Sequence, residues 1–200
     1  MSLQLNRTEF GHPDHHGRVL SREEADTLFY DWVKNPRLQL HMRQVAHLMM
    51  CWAKEVQQLS AEVQWRWEMA GLLHDADWDQ WPEQHCKKII EHLEQLQVSP
   101  DVLRAIASHG PAHFGVEPVS DMDKMLYAFD ELSGLIHAYS LMRPGGYEGM
   151  DVKGVIKRLK EKSFAASVSR EDIHDACLRA GISLHELIAF IIPRQASVAA

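Results

Sequence analysis

Residues 38–57, LQLHMRQVAHLMMCWAKEVQ, put Val45, Leu48, Met49, Trp52 and Val56 at steps of three and four. That spacing lines one face of a helix and does not fit the two-residue period of a strand. Just upstream, Asn35-Pro36 reads as a stop and a new start, because proline is tolerated in a first helical turn. The same kind of signal repeats outward in both directions. Ser21 and Glu24 form a capping box ahead of Ala25, Leu28, Phe29 and Trp32. Ser60 opens a helix that carries Trp67, Ala70, Leu72 and Leu73 up to His74. Residues 82–97 and 100–109 read as two more helices, with Gly110-Pro111 as a break and 115–120 as a loop. Residues 121–142 form a long apolar helix that Pro144-Gly145-Gly146 ends. Helices near 151–162, 170–180 and 183–192 follow, with a turn at Gly181-Ile182-Ser183. No segment alternates as a strand does, so the expected fold is an all-α helical bundle with short connections.

That bundle is expected to occupy residues 21–200 as a single domain. Residues 1–20 hold Gly11, Pro13, Gly17 and three histidines without a helical period. They read as a flexible tail that stability does not need, with His12, His15 and His16 solvated. At 46% hydrophobic and 24% charged, the composition is that of an ordinary water-soluble protein. No apolar run approaches the roughly 18 residues of a membrane span, so no membrane partner is expected. The N-terminal stretch lacks the apolar core of a secretory signal, and the three cysteines form no CxxC pair. Both features point to reduced thiols in a cytoplasm. The formal charge of −7 argues against nucleic-acid partners, which need Lys and Arg against phosphates.

The chemistry-bearing residues sit on the apolar helices. His41 lies four residues before Val45, on the core side of its helix. A lone histidine there is usually a satisfied core residue. His74-Asp75 ends the apolar run Met69-Ala70-Gly71-Leu72-Leu73, where an unwinding helix lets both side chains turn to one centre. A buried carboxylate beside a buried imidazole is costly without a cation. Asp130 sits in MLYAFDEL, with Gly134 one turn later to allow close helix approach. Taken together on three apolar helices, these N and O donors suit a divalent Mn, Fe, Co, Ni, Zn or Mg ion.

In this order the segments LHMRQVAHLM, GLLHDADWD and MLYAFDELSGLI resemble the HD superfamily of metal-dependent phosphohydrolases. KRLKEKSFAASVSRED is similar to a subgroup of small bacterial HDIG-type predicted hydrolases, which extends the likeness over residues 25–190. Ala76-Asp77 stands where many members have Ile-Gly. The resemblance implies His41, His74, Asp75 and Asp130 as metal ligands. It also implies His85 and His109 as ligands of a second ion, bridged to the first by Asp75. The alternative for this pair is a residue at a helix start and a cationic helix C-cap. Gly110 stands where several two-metal phosphodiesterases of the superfamily carry a further histidine.

The expected activity is hydrolysis of a small phosphorylated compound, such as a nucleotide, with the metal activating water. Asp77, Glu131 and, where it binds no metal, His109 are the candidates for moving protons, with a solvent-facing charge as the alternative for each. Arg143, Lys162 and Arg170 are the candidates for holding the substrate phosphate, with ordinary surface pairing as the alternative. Two other readings use the same residues. A di-iron oxygenase on this fold would need both His85 and His109, and a non-catalytic nucleotide sensor would need no turnover.

Overall fold

The computed structural model describes residues 3–10 and 17–198. Among them there is no β-strand, and the chain is all-α. Two long helices, α2 (Pro36–Glu55) and α3 (Ala61–Leu73), lie side by side. Gly71 makes that approach possible: a Cβ there would stand 2.8 Å from Ala46 Cα and 2.9 Å from Ala46 N. Close helix approach thus belongs to Gly71 rather than to Gly134, whose added Cβ would meet nothing within 4 Å. The long α7 (Asp121–Leu141) packs on α2 and carries Leu126, Phe129, Leu132 and Leu135 into the core, each fully buried.

Shorter helices close the body. α1 (Arg22–Trp32) rests on α3, and α4 (Lys87–Gln95) rests on α5 (Pro100–Ala107), which itself packs on α3 and α7. After the single turn α6 (Pro111–Phe114), α7 is covered by α8 (Val152–Lys160), α9 (Arg170–Ala180) and α10 (Leu184–Ala196). The caps explain the starts. Ser21–Glu24, Ser120–Asp123 and Ser183–Glu186 are reciprocal capping boxes, and the Asn35 side chain caps α2 ahead of Pro36. No single helix among the described residues is long and apolar enough to cross a membrane.

Several boundaries differ from the expectation. α2 ends at Glu55, so Val56 lies beyond it and is 48% exposed instead of continuing the apolar face. α10 runs through Pro193 to Ala196, past the expected end at 192. The expected helix over 82–97 is a short 3-10 turn at Pro82–Gln84 followed by α4. His85 therefore sits in extended backbone before a helix and does not open one.

The N-terminal segment is not a loose tail where it is described. Phe10 and Leu20 are buried in the common core. The Leu5 amide donates to the Phe114 carbonyl at 3.0 Å, and the Arg7 guanidinium donates to both oxygens of Glu94. The Arg18 amide donates to Gln97 O, and Ser99 N donates back to Arg18 O. Trp65 Nε1 donates to Leu20 O at 2.7 Å. These anchors are extended backbone joined to residues far along the chain, a kind of contact that leaves no helical period. The expectations for His12, His15 and His16 lie outside the described residues.

Candidate metal centre

Three elements deliver the first group. α3 stops at Leu73, and the turn after it brings His74 and Asp75 to the same point. The expected helix end thus resolves how adjacent residues share a centre. His41 arrives from the first turns of α2 and Asp130 from the middle of α7. His41 Nε2 lies 3.0 Å from Asp130 Oδ1, and His74 Nε2 lies 3.4 Å from the same oxygen. Asp75 Oδ2 is 3.5 Å from His74 Nε2 and 4.0 Å from His41 Nε2.

The second group faces the other oxygen of the same carboxylate. Asp75 Oδ1 is 3.2 Å from His85 Nε2 and 3.5 Å from His109 Nε2, and the two nitrogens are 3.3 Å apart. Within each of the groups His41/His74/Asp130 and Asp75/His85/His109, the donor atoms lie within 4.8 Å of one another. Each group could hold a metal ion, and Asp75 stands between them with one oxygen turned to each.

The histidine tautomers fit such a role. His74 Nδ1–H donates to Gly71 O at 2.8 Å, and His109 Nδ1–H donates to Ile106 O at 2.5 Å. His85 Nδ1–H donates to Asp77 Oδ1 at 2.7 Å. With Nδ1 protonated, Nε2 of each ring keeps its lone pair for a ligand. His74 Nε2 is fully buried and has no hydrogen-bond partner, a state that normally costs about 1–3 kcal/mol. A cation at that point removes the cost for the nitrogen and both carboxylates at once. Without one, burial works to lower the His74 pKa but is outweighed by Asp75 and Asp130, which bring it up to about 9. Burial would raise both carboxyls, yet the imidazoles around them hold Asp75 and Asp130 below the usual carboxylate range.

A cavity of about 510 Å³ opens over the centre. Tyr127, Asp130, Glu131 and Gly134 all line it, as residues three, four and seven apart on one helix face must. Counting turns from Asp130 in the sequence was signal enough to find Tyr127 and Gly134. Gly134 keeps its stretch of wall open. Trp78, 46% exposed, packs edge-on against the His85 ring, and Phe114 contacts the rings of both His85 and His109. Leu3 completes the wall from the N-terminal segment. Neither Leu3 nor Asp172, which also lines the cavity from α9, carries a sequence signal of its own.

The remaining candidates part company. Glu131 faces the cavity and accepts from Ser169 N; burial, then the Asp130 charge, push its carboxyl up to about 7. Asp77 is fully buried, accepts from His85 and from Ile89 N, and orients His85 instead of reaching a substrate. Arg143, Lys162 and Arg170 do not line the cavity. Arg143 donates to the carbonyls of Gly146 and Glu148. Arg170 donates to five carbonyls, those of Leu159, Glu161, Phe164, Ala165 and Val168. Lys162 is exposed on the outer surface. The phosphate-holding role expected of these three is thus corrected: the two arginines fasten loops, and the lysine is exposed and does not line the cavity.

Compared with protein-family models, with curated proteins and with solved structures, the chain matches none of them.

Proposed function

We propose that this chain is a metal-dependent hydrolase of a small phosphoester, built in the manner of the HD superfamily. The observation that carries the reading is the Asp75 carboxylate, with Oδ2 turned to His41 and His74 and Oδ1 turned to His85 and His109. Divalent ions held there supply Lewis acidity toward a phosphoryl oxygen and a water of lowered pKa. The chain's own residues do the rest. Asp77 keeps His85 in the tautomer that presents Nε2. Glu131, poised near neutrality on the cavity wall, is suited to carry a proton to or from the reacting atoms. Trp78, Phe114 and Leu3 keep one side of the cavity apolar. The test is a panel of phosphomonoesters offered to protein loaded with Mn, Fe, Co, Ni, Zn or Mg in turn. Hydrolysis that a chelator stops and that Asp130→Ala lowers at least about a hundredfold supports the reading. No turnover with any ion would remove it.

One observation favours a second reading. His85 and His109 both join the centre, which is what a di-iron oxygenase on this fold requires. Oxygen consumption by the iron-loaded protein, absent with zinc, would support that chemistry in place of hydrolysis.

A further inference from the structure

The cavity over the metal centre is open to substrate, yet among the described residues that line it there is no lysine and no arginine. Behind the lining residue Val168, Arg170 has Nε and both terminal nitrogens committed to backbone carbonyls, Val168 O at 2.7 Å among them. Beside the metal-type donors the wall carries further carboxylates. Asp172, in the first turn of α9, lines the cavity beside Glu131 and accepts from Tyr127 Oη at 3.1 Å. Against Asp75 and Asp130, which do line the cavity, His74 Nε2 is fully buried without a hydrogen-bond partner, the sign that a cation belongs at that end. The cavity thus joins two groups of metal-type donors to the carboxylates of Asp172 and Glu131, with no lysine or arginine among its described lining residues.

We infer that the substrate is a monoester carrying a single phosphate, with a cationic or neutral hydrogen-bond-donating group at its far end. The inference rests on the phosphoester reading given above. Two divalent ions against Asp75 and Asp130 leave a surplus of about two positive charges, enough for one phosphate dianion. A di- or triphosphate brings further charge that no lysine or arginine among the described lining residues meets. An anionic far end would face Asp172, and like charges brought together in a partly desolvated site are repelled. An ammonium or hydroxyl group finds an acceptor in the Asp172 carboxylate, with Trp78 and Phe114 in the wall beside the carbon skeleton.

Three phosphonates that resist hydrolysis and differ only at the far end test this: 3-aminopropylphosphonate, propylphosphonate and 3-phosphonopropionate. Their dissociation constants are measured by calorimetry on the manganese-loaded protein. The cationic ligand is expected to bind about tenfold more tightly than the anionic one, with the neutral one between. In Asp172→Asn, which keeps an acceptor for Tyr127, the cation-to-anion ratio is expected to shrink to about threefold or less. Equal or tighter binding of 3-phosphonopropionate by the wild type overturns the inference and leaves the phosphoester reading standing. A ratio that Asp172→Asn leaves unchanged overturns it as well. Binding of none of the three removes the phosphoester reading, and the inference falls with it. The wild-type order decides even if the variant does not fold, and circular dichroism reports whether it does.

Discussion

Asp77 shows how one buried carboxylate can matter without meeting a substrate. It is fully buried, holds His85 Nδ1 at 2.7 Å and caps Ile89 N at 2.9 Å, whereas His74 and His109 lean only on backbone carbonyls. A carboxylate behind a ligand histidine fixes the ring and raises its basicity. Asp77→Ala is therefore expected to weaken the ion at His85/His109 by about 10–100-fold and to spare the one at His41/His74. Asp77→Asn, which still offers His85 an oxygen, should lose less. Stepwise metal titration separates the two ions; equal weakening of both would contradict a role confined to His85. The ligand-type residues were legible in the sequence because each breaks an apolar pattern: His41 on a core face, His74-Asp75 at the end of one, Asp130 inside one. Arg143 and Arg170 were misread because a guanidinium that binds loop carbonyls looks, in sequence, like one free for phosphate.

At the scale of elements, periodicity carried the reading where contacts are local. The helix core positions, the capping boxes and the stop after Leu73 all follow from residues within a turn of each other. The N-terminal segment shows where that source of information ends. Its anchors are Phe10 in the core, Leu5 on Phe114 and Arg7 on Glu94, all distant in sequence. Deleting residues 1–10 removes a buried phenylalanine, worth about 1.5–3 kcal/mol, together with those bonds. Each kcal/mol lowers the melting temperature of a chain this long by about 2–4 °C, so a fall of roughly 5 °C or more is expected. The deletion also takes Leu3 from the cavity wall. Thermal unfolding of the truncated chain checks this; an unchanged midpoint would restore the tail reading.

At the scale of the whole molecule, the centre is expected to tie stability to pH and to metal loading. In the metal-free chain the His74 pKa stands raised, from 6.5 to about 9. Its contribution to stability is thus fully present below pH 6.5 and is lost as pH rises through 9. Asp75 is depressed from 3.8, so its contribution is present above that value and is lost as pH falls through the lowered pKa. The metal-free protein is expected to melt highest between about pH 4 and 6.5 and to weaken toward pH 9. A metal held at His74 Nε2 would take the place of that proton, so loading should release protons and flatten the alkaline loss. Melting curves across pH, with and without metal, report both effects. The central claim is that six side chains on five segments form two ion sites joined through Asp75. Elemental analysis of metal-replete protein tests it most directly. The account predicts two ions per chain in the wild type and one in His85→Ala/His109→Ala, with helix content retained. One ion in both proteins, or none in the wild type, would contradict it.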